Sequence, residues 1–297
     1  MKNNYLIGTT YEGGRSEYLR TILPFVDYLE ISPDSISTKK GKILPNISPK
    51  NIDELKLINE EKKILIHGVG LSIGSYDGYS KEYIKLLDEL FENLRIEWHS
   101  EHLAYTKVNG ITLGTMLTLP RNNETLEIIC KRVDEIQKRY KVPFLLENVI
   151  SMLPFYDNTY SDADFLNRIA NSTGCGLILD LYNLECDANN FGLNIDVFLG
   201  ELDFSNIYEI HVAGGITEDN FMMDIHARPC EIHTLNLMEK IINQEPPRLK
   251  AITYEILDEF VELVGTNQII NEIIQIDNIC NKNHDISPIT NQSAFFN

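Results

Sequence analysis

Short β-rich apolar runs alternate with longer polar, helix-like stretches along the whole chain, and this alternation constrains the fold more than any other feature. The runs begin at Tyr5 (YLIGTTY), Tyr28 (YLEIS), Ile64 (ILIHGVG), Ile96 (IEWHSEH), Pro143 (PFLLEN), Gly176 (GLILDLYN), Ile207 (IYEIHVAG) and Ala251 (AITYEIL). Eight such runs at intervals of 23 to 47 residues, each followed by a helical pattern, predict an α/β protein with a single (β/α)8 TIM barrel. A doubly wound open sheet shows the same alternation and is the competing architecture. Helix signals fit either one. Ser80 opens an apolar repeat through Tyr83, Leu86, Leu87, Leu90, Phe91 and Leu94, Ser161 is an N-cap followed by Asp162 and Asp164, and Leu126–Tyr140 is amphipathic.

No linker or repeat divides the 297 residues, so the expectation is one domain over residues 1–285. A polar tail, 286–297, ends in Phe295-Phe296 and is expected to be mobile. Residues 32–50 read as a loop with three prolines and a basic Lys39-Lys40-Gly41-Lys42 run. With 26 Lys+Arg against 44 Asp+Glu, the net charge of −18 argues against nucleic acid and anionic membrane as partners and favours metal cations. No apolar run is long enough to span a bilayer, and the start, Met-Lys-Asn-Asn-Tyr, is unlike a secretory signal. The five Cys (130, 175, 186, 230 and 280) are scattered and never form a Cys-x-x-Cys pair. They are expected to be small buried residues in a reduced, cytoplasmic protein with no thiolate metal site.

Polar residues collect at the carboxyl ends of the predicted strands. These are His67, Glu101-His102, Glu147-Asn148, Asp180 with Asn183, His211, the Asp224-Ile225-His226 segment after the seventh strand, and Glu255 on the eighth. Barrel strand ends converge on one mouth, where such folds place their active sites. So many charges are hard to bury as structural groups, because each costs several kcal/mol unless it is paired or metal-bound. Carboxylates and imidazoles together suit Fe(II), Mn(II) or Zn(II). Asp224 and His226, at i and i+2 of an extended segment, project to one side and can reach one ion. Glu101 and His102 point to opposite faces, and His102 is the expected ligand. His99 and His233 read as structural, His284 as surface, and Trp98 and the tyrosines as packing.

Gly68-Val-Gly70-Leu-Ser-Ile-Gly74 follows a strand, but its G-x-G-x-x-x-G spacing does not fit the dinucleotide-binding pattern. Its glycines are expected to let backbone pass close beside His67. Gly13-Gly14 reads as a tight loop. No G-x-S-x-G elbow is present and no Cys sits in an activating motif, so nucleophilic catalysis has no support.

The strings HGVGLSIGS (67–75), SEHLAY (100–105), LLENV (145–149), GCGLILDLYNL (174–184), EIHVAGG (209–215) and DIHARP (224–229) resemble the multinuclear non-haem iron-dependent oxidative enzymes. That family includes the catalytic subunit of methanobactin biosynthesis and enzymes that modify cysteine in ribosomally made peptides. The similarity runs from about Tyr5 to Glu255. It implies a xylose-isomerase-like barrel with two or three iron ions, mixed Fe(II)/Fe(III), at the mouth and dioxygen as co-substrate. Carried over residue by residue, it implies metal ligands at His67, His102, Glu147, Asp180, Asn183, His211, Asp224, His226 and Glu255. Catalysis is expected to turn on Glu147, as a bridging carboxylate, and on Asp224 and His226.

The chemistry implied begins with a peptide's cysteine thiolate on one iron and dioxygen on its neighbour. Hydrogen is taken from the cysteine β-carbon, and the sulfur is then oxidised, rearranged or excised. The implied partners are a Cys-containing precursor peptide and a separate protein that grips its leader. Two segments bordering the mouth depart from the family pattern, VISMLPFY (149–156) and residues 215–223, and they leave the exact reaction open. The competing readings are a divalent-metal sugar isomerase or epimerase, for which no strand-end Lys is evident, and a non-catalytic metal-binding protein. An endonuclease-IV-like nuclease is opposed by the charge.

Overall fold

The computed structural model describes residues 5–38, 46–152 and 158–281. The Lys39-Lys40-Gly41-Lys42 run, residues 153–156 of VISMLPFY, His284 and the 286–297 tail lie outside the described residues. Eight strands form the barrel: β1 Leu6–Tyr11, β2 Tyr28–Ile31, β3 Lys63–Gly68, β4 Ile96–His102, β5 Phe144–Glu147, β6 Gly176–Asp180, β7 Ile207–Val212 and β8 Ala251–Tyr254. They pair in chain order, all parallel, and β8 returns to pair with β1. Closure excludes the open sheet. Each predicted strand is present, although β8 stops at Tyr254 and leaves Glu255 one residue beyond it.

Alternation along the strands explains how one barrel carries both a core and a polar mouth. Tyr28, Leu65, Trp98, Leu145, Ile178 and Ala251 pack together as an apolar floor inside the barrel. Two residues further along each strand the side chain points to the same interior one layer higher, and there the sequence turns polar. Tyr28 is followed by Glu30, Leu65 by His67, Leu145 by Glu147, and Ile178 by Asp180. The longer β4 continues from Trp98 through Ser100 to His102, and the β8 run goes from Ala251 through Thr253 to Glu255. The opposite parity (Ile64, Ile66, Leu146, Leu177, Leu179, Ile210, Ile252) faces the surrounding helices in the main core. Each such fully buried chain contributes roughly 1.5–3 kcal/mol of burial free energy.

The helices begin where their caps lie. Ser80 accepts from Tyr83 N ahead of Lys81–Asn93, Asn122 from Thr125 N ahead of Asn123–Tyr140, and Ser161 from Asp164 N ahead of Asp162–Thr173. Three connections are more structured than the sequence reading held. Residues 32–50, expected as a loop, contain a short helix at Pro33–Ile36 and paired two-residue strands at Ser37–Thr38 and Asn46–Ile47, and a helix starts at Pro49. A ribbon of Tyr105–Val108 with Ile111–Leu117 follows β4, and one of Gly214–Glu218 with Phe221–Arg228 follows β7. Among the described residues no helix is long and apolar enough to cross a membrane. Cys175, Cys186 and Cys280 are buried as expected, whereas Cys130 and Cys230 are only partly covered, and all five are free thiols.

His99 is structural. It is buried among the rings of Phe91, Tyr140 and Phe144, with centroids 4.7 to 5.4 Å away, and its Nε2 has no hydrogen-bond partner. Burial holds its pKa down to about 3. Below the ordinary value of 6.5 the unfolded chain takes up a proton that the folded one refuses, so stability falls as pH drops through that range. We therefore expect His99→Phe to remove this loss. The stability difference between variant and wild type in denaturant titrations should shift in the variant's favour by about 2 kcal/mol between pH 7.5 and pH 5.

Candidate metal centre

The barrel mouth brings together the residues gathered from the strand ends, with the exception of Glu101. His67 Nδ1 lies 2.8 Å from Ser100 Oγ, which itself donates to Ile66 O. The hydroxyl must therefore accept from Nδ1–H, so Nε2 is the atom that the neutral ring would present to a metal. His102 is held the same way, because its Nδ1 donates to Gly68 O at 2.8 Å. Both free Nε2 atoms face one oxygen, Glu147 Oε2, at 2.9 and 3.3 Å. The other oxygen of Glu147 faces His211 Nδ1 at 3.6 Å, and His211 Nδ1 is 3.2 Å from Glu255 Oε1. Glu147 thus spans two groups of donors. One is His67, His102 and Glu147, and the other is Glu147, Asp180, His211 and Glu255, each with ligand atoms within 4.8 Å of one another.

Asp180 shows how local structure prepares a ligand atom. It is the N-cap of the helix Leu181–Phe191, and its Oδ1 accepts from Asn183 N at 2.5 Å. Its backbone is clamped to the end of β5 by Asn148, which accepts from Asp180 N and donates to Asp180 O. That leaves Oδ2 buried and unpartnered. Asn183 is in the same condition, since its amide nitrogen donates to Asn148 O while its Oδ1 has no partner. On the ribbon strand Phe221–Arg228, Asp224 and His226 are same-side neighbours at 2.9 Å, and His226 Nδ1 is 3.4 Å from Glu255 Oε2. The pair joins the centre through Glu255 rather than belonging to either tight group.

The electrostatics are those of a site short of positive charge. Burial opposes ionisation of His67 and His226, yet neighbouring carboxylates overcome it and push them up to about 9 and about 10. Burial and the charges of Glu147 and Glu255 drive Asp180 well above the carboxylate range. Glu147 is held well below that range, because His102 and His67 outweigh its burial. Protons are standing in for cations. Buried atoms lacking a hydrogen bond include His67 Nε2, Glu147 Oε2, Asp180 Oδ2, Asn183 Oδ1, both ring nitrogens of His211, Asp224 Oδ1, His226 Nε2 and Glu255 Oε2. Buried polar atoms are ordinarily satisfied, and so dense a set of convergent orphans fits hard or borderline metal ions.

Glu101, on the other face of β4, is buried outside the barrel, where its Oε2 accepts from Leu71 N at 3.3 Å. A β-carbon on Gly68 would sit 2.7 Å from that oxygen and 1.9 Å from Tyr83 Oη, so this glycine makes room for two side chains rather than for the backbone approach expected of it. Sequence reasoning missed two buried glutamates. Glu30 has no hydrogen bond to either oxygen and lies 3.4 Å from His211 Nε2. Glu209, 3.5 Å from the same nitrogen, accepts from Trp98 Nε1 at 2.8 Å and Thr253 Oγ1 at 2.6 Å. Trp98, read as packing, therefore also anchors the carboxylate behind His211. The signal was parity: Glu30 lies two residues after Tyr28, and Glu209 two before His211.

Residues 12–280 match the family model of the RiPP precursor modification enzymes MbnB/TglH/ChrH, RiPP denoting a ribosomally made, later modified peptide. The chain belongs to that family. It is 29% identical over 230 residues to a UPF0276 protein of Vibrio vulnificus, covering 76% of this chain and 77% of the relative. A UPF0276 protein of Caulobacter vibrioides is 28% identical over 212 residues, covering 71% and 73%. In fold, the chain is similar to a xylose isomerase domain protein of Salmonella typhimurium, with a TM-score of 0.60, 12% identity and coverage of 94% and 99%. D-psicose 3-epimerase of Clostridium cellulolyticum gives 0.57 at 13% identity, covering 93% and 98%. The architecture is thus the expected xylose-isomerase-like barrel.

Because Glu147 spans both donor groups, its charge should matter more than its volume. Adding Fe(II) without oxygen, or Zn(II), to metal-free protein at a hundredfold excess over Kd is expected to raise the wild-type melting temperature by roughly 5–10 °C. Glu147→Gln should fold normally by circular dichroism and retain less than half of that shift.

Proposed function

We propose that this protein is a multinuclear non-haem iron enzyme that uses dioxygen to modify a cysteine in a ribosomally made precursor peptide. Membership of a peptide-modifying family supplies the class of substrate. The observation that carries the metal reading is the convergence of orphaned imidazole and carboxylate atoms around Glu147. Under this reading His67, His102, Glu147, Asp180, Asn183, His211, Asp224, His226 and Glu255 hold two or three irons of mixed valence. Bound iron would supply a seat for the peptide's thiolate and the electrons that reduce dioxygen.

The chain's own residues do the positioning. Ser100 and Gly68 O fix the tautomers of His67 and His102, so both present Nε2 without reorganisation. Glu147 offers one oxygen to each donor group and lowers the repulsion between neighbouring cations. Asn148 locks the ends of β5 and β6 together and so keeps Glu147 and Asp180 in register. Iron held by these residues would keep a thiolate and an oxidant side by side, and that orientation would supply much of the rate. A separate partner protein grips the peptide's leader.

The test is turnover of a Cys-containing precursor peptide encoded beside the gene, together with any small protein encoded there. Iron-loaded protein should consume dioxygen and shift the peptide's mass, and Cys→Ser in the peptide should lower turnover at least hundredfold, because an alcohol is protonated at neutral pH. The same modification on the serine peptide, or no dioxygen consumption by iron-loaded protein, would overturn the reading. The second outcome would leave a metal-binding protein that is not an oxidase.

A further inference from the structure

Beside the metal pocket lies a larger groove of about 720 Å³, between the two ribbons that follow β4 and β7. The metal pocket, about 370 Å³, contains His67, His102, His226 and Glu255. The two share Asp34, Val69, Met116 and Asp224 as common wall, so the groove borders the metal pocket and reaches Asp224 itself. Of the six methionines in the sequence, four (Met116, Met152, Met222 and Met223) line this one groove, alongside Ile150 and Phe221.

The walls are fixed in place. Ser72 Oγ accepts from Thr106 N and Lys107 N, and Ser75 donates to Lys107 O, which ties the first ribbon to the HGVGLSIGS run. Asn190 pins the second ribbon by accepting from Met222 N and donating to Met222 O. Tyr182 Oη donates to Met223 O, and only a glycine at 215 leaves room for that hydroxyl, since a β-carbon there would lie 2.0 Å from it. The glycine-rich run that resembled a nucleotide motif is thus the mount for one groove wall.

We infer that this groove takes a bulky apolar side chain of the peptide substrate, from a residue flanking the one delivered to the metal residues. The inference rests on the reading of function above and adds the sequence preference of the substrate. Three observations select that occupant. The groove adjoins the metal pocket along a shared wall, so a chain whose reactive residue enters the pocket can lay a flanking residue in it. Its volume lies in the range that encloses a few side chains rather than a folded partner. Its methionines form an adaptable, polarisable apolar surface that accepts differently shaped apolar groups. The polar rim adds a veto. Among the described lining residues the acidic Asp34, Glu82 and Asp224 outnumber the one ammonium, Lys107, so the rim's net negative charge disfavours an acidic flanking residue.

The test uses iron-loaded protein without oxygen and fluorescein-labelled peptides Gly-Gly-Xaa-Cys-Gly-Gly and Gly-Gly-Cys-Xaa-Gly-Gly, with Xaa Leu, Phe, Lys or Glu. Affinity is read by anisotropy, and thiolate arrival at iron by its visible absorption band. On one side of the cysteine, Leu and Phe should bind at least tenfold more tightly than Glu. Met116→Gln with Met222→Gln should reduce that ratio below threefold while the absorption band persists, which shows an intact centre and fold. Equal affinities for all flanking residues, or a preference unchanged in the double variant, would overturn the groove assignment and leave the function standing. A missing band with every peptide contradicts the thiolate reading instead, whatever the flanking preference.

Discussion

Three carboxylates, Glu147, Asp180 and Glu255, are buried together in the barrel mouth beside the half-buried Asp224, and so much buried negative charge is costly without cations. The polar part of the structure follows from this constraint. Among the described residues around them, His67, His211 and His226 have raised proton affinities, which record the same shortage of positive charge. Imidazolium is an imperfect answer, because the contacts lack hydrogen-bond alignment and leave buried atoms on both sides unpartnered. A buried charge left unpaired costs several kcal/mol, so these groups would be a heavy burden on a barrel that gained nothing from them. Bound metal ions would remove the burden and turn it into binding energy.

The rest of the fold serves to hold those donors at fixed angles. Strand parity places them in one layer above an apolar floor, and the layer behind them supplies their orientation. Ser100, Gly68 O, Asn148 and Glu209 each touch a donor or its backbone from the side away from the pocket. The two ribbons extend the mouth outward, and one of them delivers Asp224 and His226 to it. A site built in this way on strand ends, with long insertions at the rim, lets the rim vary while the donors stay in place.

Much of this was legible in the sequence, because each strand announces itself by β-branched and aromatic runs and each donor lies at a strand end. Alternation showed that only one of Glu101 and His102 can face the mouth, the resemblance favoured His102, and the pairing of Asp224 with His226 followed from their i, i+2 spacing. What was not legible has physical reasons. Glu30 and Glu209 lie inside apolar runs, where a lone glutamate reads as an exposed position unless the interior parity is already known. The Tyr105–Leu117 ribbon has an exposed second strand with little apolar alternation, so its pattern carries no burial signal. The segment Ser32–Ile36 has the composition of a loop, and its short helix starts from proline at the first turn, a signal that loops share.

The central claim is that Glu147 spans two metal positions. Anomalous diffraction at the iron edge, from crystals of the anaerobically purified protein, tests it most directly. The account predicts at least two iron peaks flanking the Glu147 carboxylate, one bounded by His67 and His102 and the other by Asp180, His211 and Glu255. A single peak, or peaks that leave either group of donors empty, would contradict it.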